Sequence, residues 1–330
     1  MKYVLVGGAG LIGHSLALNL KAHNHEVTCI DSLMVNNLLT LKKQEYVPFV
    51  EERLALLEHA GIPLIRTDAK DYQSLSPTIA HYKPDVIVHL AAVAHITVAN
   101  DQPHMTYENS LQTLWNSLDV ARNIGCGLMY FSSSTVYGDF SQPVIDETEE
   151  LTPFGIYGNA KQAGERLVRS YNQTYGMPAV IIRPQALYGP RCVSRRVTQI
   201  FAENAIRGEP ITIHGDGSEE HDFTYIDDLV QGLRLALTKL DYEPGMMKTY
   251  NLTGESATSL ERLKDIIVKR FPTEVVYGDK DPDKPSRGTM SCKRIRDELG
   301  YEPQYDIERG MNAYLDWYSH IWDVNLKRSA

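Results

Sequence analysis

Tyr157 and Lys161 lie four residues apart, so on a helix they share one face. A neighbouring ammonium lowers a phenol's pKa from about 10 toward the working pH, which makes the pair a candidate general acid/base. The same spacing is common on solvated helix faces, and two other features give it weight here. Four consecutive hydroxyls, Ser132, Ser133, Ser134 and Thr135, close an apolar stretch earlier in the chain. Near the start, Gly7, Gly8, Gly10 and Gly13 follow an apolar run at 3–6 and lead into a helix-like pattern of Leu11, Ile12, Leu16, Leu18 and Leu20. Glycines at such a place permit a tight turn and let the backbone approach a pyrophosphate, which the free N–H groups and dipole of the new helix then face. A second predicted strand, 26–30, ends in Asp31, where the ribose hydroxyls of a dinucleotide call for an acid. A carboxylate there repels a 2′-phosphate, so NAD is expected in preference to NADP.

The elements that must position these groups alternate between strand and helix. After a polar stretch to about residue 45 and a helix-like segment at 50–59, a third strand at 62–66 closes on Thr67-Asp68-Ala69. A fourth at 86–90 runs into Ala91-Ala92, small residues that let the backbone lie close to a ligand. An amphipathic helix is predicted over 107–123, a fifth strand over 128–131, and a further helix over 153–171. This alternation predicts an α/β fold, a doubly wound parallel sheet with ligands outside the carboxyl ends of its strands. The second half is less regular. Helices are expected at 201–207, 224–239 and 260–271, a strand at 211–214, a returning strand at 249–252, and a polar, proline-bearing loop at 279–288.

The chain of 330 residues, 43% hydrophobic and 23% charged, has the composition of a soluble globular protein of about two domains. A net charge of −9 argues against a nucleic-acid surface. Cys29, Cys126, Cys192 and Cys292 are far apart, with no metal-ligand spacing, and are expected as free thiols in a reducing compartment. The first residues are needed for a strand rather than a leader, and no apolar run reaches membrane length. A cytoplasmic protein with no membrane segment and no metal is expected.

Taken together, the motifs resemble those of the NAD-dependent sugar epimerase/dehydratase family, the extended short-chain dehydrogenases/reductases. The carrying residues are the glycine run from Gly7 to Gly13, Asp31, Asp68, His89-Leu90-Ala91-Ala92, Asn109, the FSSSTVYG run at 131–138, and Tyr157 with Lys161. RPQALYGPR at 183–191, HGDGSEEHDFTYIDD at 214–228 and Leu299-Gly300-Tyr301-Glu302-Pro303 extend the resemblance over nearly the whole chain. It implies a Rossmann-type domain over 1–185, joined by a returning strand and helix from about 224–254, and an interleaved substrate domain mainly within 186–330. It further implies that Tyr157 is the acid/base toward a sugar hydroxyl and that Lys161 holds the nicotinamide ribose. Ser133 is the assisting hydroxyl, with a neighbouring serine or Thr135 one residue away as the alternative. Cofactor contacts are implied for Gly7, Gly10, Leu11, Ile12, Gly13, Asp31, Ser32, Asp68, Ala69, Leu90, Ala91, Ala92, Asn109 and Pro184. Substrate contacts are implied for Thr97, Ser133, Thr135, Arg191, His214, His221 and Arg287, the substrate being a nucleotide-diphosphate sugar. A homodimer is implied as well, with helices 107–123 and 157–171 meeting their mates.

Two departures from the family pattern fall in the substrate pocket. His221 stands where an arginine commonly reaches the diphosphate, and Ala186 where an asparagine is common. His214 occupies a position that is often aromatic. Arginine to histidine exchanges a permanent bidentate cation for one titrating near pH 6.5, a charge that Arg191, Arg195 and Arg196 are placed to supply. The leading expectation is a nucleotide-sugar 4-epimerase. A 4,6-dehydratase, decarboxylase or 4-ketoreductase on the same fold is the alternative, and a non-catalytic dinucleotide sensor a third. Dehydratases of the family generally carry Asp-Glu directly after the catalytic hydroxyl, where this chain has Ser134-Thr135.

Overall fold

A computed structural model describes residues 1–34, 44–279 and 287–321. Seven short apolar segments form one sheet: β1 (Lys2–Val6), β2 (Glu26–Asp31), β3 (Leu64–Arg66), β4 (Val86–His89), β5 (Gly127–Phe131), β6 (Ala179–Pro184) and β7 (Met247–Leu252). Their order is β7-β6-β5-β4-β1-β2-β3, and every neighbouring pair is parallel. The order reverses between β1 and β4, so a crevice opens there at the carboxyl ends of the strands.

Both faces of the sheet are covered, which is why its strands read as continuous apolar runs rather than alternating ones. On one face lie α1 (Leu11–Ala22), α2 (Val47–His59) and, later in the chain, Ile226–Thr238. Leu5, Val88 and Met129 pack there with Leu16, Phe49 and Leu229. On the other lie α3 (Tyr72–Tyr82), α4 (Thr113–Ile124) and α5 (Gly155–Tyr175), with Val4, Ile87 and Leu128 against Ile79, Leu118 and Val168. Each such fully buried side chain contributes about 1.5–3 kcal/mol, and the two layers fix the sheet from both sides.

Beyond β6, α6 (Val197–Arg207), α7 (Ile226–Thr238), α8 (Leu260–Arg270) and α9 (Ile307–Ile321) follow, and α6, α8 and α9 pack on one another. Their apolar faces continue the core on the α1 side, where Phe49 of α2 meets Trp317 and Tyr318 edge-on at 5.0 and 5.6 Å. The C-terminal half is therefore welded to the sheet rather than hung from it. β7 also brings the chain back to pair with β6, from Met247↔Ala179 to Leu252↔Pro184.

Two elements depart from the sequence expectation. The segment expected as one helix over 107–123 is a short helix (Pro103–Thr106), a π-helical turn (Tyr107–Gln112) and then α4. The widened turn re-aims its side chains, among them Asn109 and Ser110. The helix expected from 224 begins at Ile226, because Thr224 and Tyr225 form a two-residue strand beside Leu187–Tyr188. The Thr224 hydroxyl donates to the Gln185 carbonyl at 2.8 Å, an anchor invisible to helical periodicity. Most of the loop expected at 279–288, and most of the polar stretch after Asp31, lie outside the described residues. All four cysteines are buried free thiols. No helix among the described residues is long and apolar enough to cross a membrane.

Candidate active site

The glycine turn is built by contact, not by composition. Gly7 has φ +87° and donates to the Ile30 carbonyl at 2.8 Å, and a Cβ on it would meet the Ala91 nitrogen at 2.7 Å. A Cβ on Gly13 would sit 2.6 Å from the Gly7 carbonyl oxygen. These close approaches pull the start of α1 onto the strand ends. Gly10 caps the helix without a side-chain hydrogen bond, and its first turn holds no acid, so the N-terminal N–H groups face the crevice between β1 and β4. Asp31 sits at the carboxyl end of β2, where it accepts from the Ala9 nitrogen at 3.0 Å and the Leu33 nitrogen at 2.9 Å. Gly7, Gly10, Leu11, Ile12, Gly13, Asp31 and Ser32 line that crevice, together with Asp68, Ala69, Leu90, Ala91, Ala92 and Asn109. Asn109 is fixed by its amide, which donates to the Met105 carbonyl at 2.8 Å. Pro184, the last residue of β6, lies outside this lining. A cradle of backbone N–H groups, a strand-end acid and small residues at the switch point fits a dinucleotide.

The chemistry-bearing side chains meet at the end of β5. Tyr157 is buried on the first turn of α5, where the Ser133 hydroxyl is near enough to lower its pKa. Ser133 and the neighbouring hydroxyls have different surroundings. Ser132 donates to Glu165 at 2.7 Å, and the Thr135 hydroxyl is buried without a partner among the described residues. The Ser133 oxygen also accepts from the Thr135 nitrogen at 3.2 Å, capping the short turn Ser134–Tyr137. Lys161 is buried one helical turn beyond Tyr157, its Nζ donating to the Phe131 carbonyl at 2.7 Å. Burial lowers its pKa to about 8, opposed by the Glu165 carboxylate.

Electrostatics at Tyr157 differ from the simple Tyr–Lys expectation. Burial raises the phenol's pKa, and the groups that pull it back are Arg196 and the Ser133 hydroxyl. Lys161 is moored to Phe131, with its Nζ 5.9 Å from the centre of the Tyr157 ring. Beneath them Glu165 is gripped by Arg183 through two bonds, Nε to Oε1 at 2.8 Å and Nη2 to Oε2 at 2.6 Å. Arg183 also donates to the Tyr137 hydroxyl at 2.9 Å. This buried network ties α5 to the Ser133 turn and to β6.

A sequence profile described as the NAD dependent epimerase/dehydratase family matches residues 3–252. The chain belongs to this family. NAD is its cofactor, and the crevice described above is built to receive it. Among curated relatives, a dTDP-glucose 4,6-dehydratase of Haemophilus influenzae is 28% identical over 96% of this chain and 98% of its own length. The solved UDP-glucuronic acid 4-epimerase of Bacillus cereus, in complex with UDP-glucuronic acid and NAD, superposes with a TM-score of 0.87. It is 25% identical and covers 97% of this chain and 100% of its own. A UDP-glucose 4-epimerase of Thermus thermophilus, solved with NAD, gives 0.82 at 25% identity over 97% of this chain and 99% of its own. Both chemistries named for the family are thus represented among its relatives.

Placement of the implied substrate residues is uneven. Ser133 and Thr135 lie at the Tyr157 end of the site. Arg287 reaches the same turn, donating to the Ser134 and Gly138 carbonyls and stacking 5.3 Å from the Phe140 ring, and its burial lowers its pKa to about 10. Thr97 is exposed on a short helix (Ile96–Asp101), and His214 is exposed at the end of a strand (Ile211–His214). His221 pairs with Glu219 at 2.8 Å on a separate two-stranded ladder. Arg191, implied for the substrate, bonds Glu52 and His14, each at 3.0 Å, and its backbone has a left-handed φ of +65°.

Two arginines also line the crevice, one of them, Arg53, not expected there from the sequence. Arg196 donates to the Ala94 carbonyl at 3.2 Å and acts on Tyr157. Arg53 lies on α2 among Phe49, Val50 and Leu57, the helix's other buried residues. A charge at an apolar position of an amphipathic helix is the sequence signal that marks it.

Proposed function

We propose that this chain is an NAD-dependent nucleotide-sugar 4-epimerase. One observation carries the choice: the turn after Ser133 holds Ser134 and Thr135, neither an effective proton carrier near neutral pH. Glu147, a carboxylate farther along the chain that a dehydratase could recruit, accepts from the Asn251 nitrogen at 2.8 Å and faces Arg294 at 3.6 Å. Eliminating water from C5 and C6 of a 4-keto sugar requires an acid at the leaving oxygen and a base at C5, and the two residues directly after Ser133 supply neither.

Bound NAD supplies a reversible two-electron acceptor for C4 of the sugar. Tyr157 takes the proton of the 4-hydroxyl, with Ser133 hydrogen-bonded to both the phenol and the substrate oxygen. Arg196 favours the phenolate, and Lys161 holds the nicotinamide ribose. The 4-keto sugar turns over, and Tyr157 returns the proton as C4 is reduced on its other face. Substrate and product then have equal mass, and no reduced cofactor accumulates.

Incubation with UDP-, dTDP-, GDP- and CDP-sugars, read by mass spectrometry and NMR, tests this. Inversion at C4 with unchanged mass is expected. A product lighter by one water or by carbon dioxide sinks the proposal in favour of the dehydratase or decarboxylase reading, which similarity to the Haemophilus relative favours. His95, near Arg196, would then be the group to examine.

A homodimer is part of the same proposal. Tyr107 and Trp115, in the π-turn and α4, are 57% and 55% exposed. A pairing of α4 and α5 with their mates would cover them. A monomer by light scattering at micromolar concentration counts against it.

A further inference from the structure

Arg53 is 2% exposed, and none of the reactions above uses it. Its Nε and Nη2 both donate to one acceptor, the Arg191 carbonyl, and Nη1 has no partner among the described residues. Nor does any carboxylate of the described residues lie within ion-pair distance of it, although Asp31 acts on it from farther off. Burial lowers its pKa to about 10, so it remains a cation at neutral pH. A buried guanidinium without an anion costs several kcal/mol. Such a group is accounted for by a negative charge that arrives from outside the chain.

The surroundings identify the kind of anion. Arg53 lines the crevice beside Gly10, Leu11, Asp31 and Ser32, at the open N-terminus of α1. The other crevice arginine, Arg196, is committed to Ala94 and Tyr157 at the opposite end. We propose that Arg53 binds the pyrophosphate of the dinucleotide, adding a full charge to the N–H groups of the glycine turn. A helix terminus carries about half a charge, whereas the pyrophosphate diester carries two. Arg191 supports this arrangement. Its left-handed backbone turns its carbonyl to aim Arg53, and Glu52 and His14 hold its side chain aside. This inference rests on NAD being the cofactor.

The test compares NAD, ADP and adenosine on cofactor-stripped protein, by calorimetry or by competition against NADH fluorescence. Arg53→Met should weaken NAD and ADP by about 10- to 100-fold, the loss of a charge-assisted contact, and leave adenosine within about twofold. NAD unchanged within twofold, or adenosine weakened as much as NAD, overturns the proposal. Should Arg53→Met fail to fold, Arg53→Lys takes its place. Lysine cannot repeat the two-nitrogen grip on the Arg191 carbonyl, so the NAD-to-adenosine affinity ratio should fall at least about threefold. An unchanged ratio overturns the proposal. Wild-type protein that binds neither NAD nor ADP removes the dinucleotide assignment itself and Arg53's role with it.

Discussion

The two ends of the crevice are made of different material. At the glycine end the working groups are backbone: N–H groups of the turn after β1, packed so closely that a Cβ on Gly7 or Gly13 would sit 2.6–2.7 Å from its neighbours. At the substrate end they are side chains, and most already hold a partner within the protein. His221 has Glu219, and Arg287 has the carbonyls of the Ser134–Gly138 turn. A site made of backbone tolerates few sequences and announces itself in them. A site made of paired side chains can be re-paired, which is how one fold serves different sugars. Between the two lies the Tyr157 cluster, where side chains are locked by a buried network as firmly as backbone.

The strongest test of that middle region is Tyr157→Phe, which removes only the ionisable oxygen. Turnover should fall by about 10²- to 10⁴-fold while NAD affinity and thermal stability stay near wild type. Near-normal turnover on the true substrate would show that the phenol is not the acid/base.

Arg183→Met asks whether the network is as rigid as claimed. It strands the Glu165 carboxylate, whose side chain is 1% exposed, and should cost about 3 kcal/mol or more, read as a lowered denaturation midpoint. A loss below about 1 kcal/mol would mean that Arg169, 3.6 Å from Glu165, takes over.

Arg196→Gln separates electrostatics from architecture. The cation favours the phenolate, so removing it raises the Tyr157 pKa further above its ordinary value. Less phenolate is then present at any given pH, and the acid limb of the kcat/KM profile should move to higher pH. A limb that stays put, or moves down, contradicts the assignment of Arg196.

The smallest effect is expected at the substrate end. The His221–Glu219 pair is 23% exposed at each side chain, and pairs of this kind contribute about 0–1 kcal/mol. His221→Ala should leave stability within about 1 kcal/mol and KM within about threefold. A KM increase of tenfold or more would place His221 on the diphosphate and erase the contrast between the two ends.

Much of this molecule was determined by sequence alone, wherever the deciding interactions are local. The strand–glycine–helix turn, the acid ending β2 and the four-residue step from Tyr157 to Lys161 are set within one or two elements. Local periodicity and glycine geometry therefore reveal them. Tertiary structure decided what depends on residues distant in the chain. Ser132 is engaged by Glu165, 33 residues away, which no local pattern announces. Thr224 became a strand because a carbonyl 39 residues earlier accepts its hydroxyl. The π-turn that aims Asn109 interrupts a pattern that periodicity alone extends as one helix. Arg53 of α2 is held in the crevice by the Arg191 carbonyl, 138 residues away. Side-chain pairing over such distances depends on packing that no local pattern encodes.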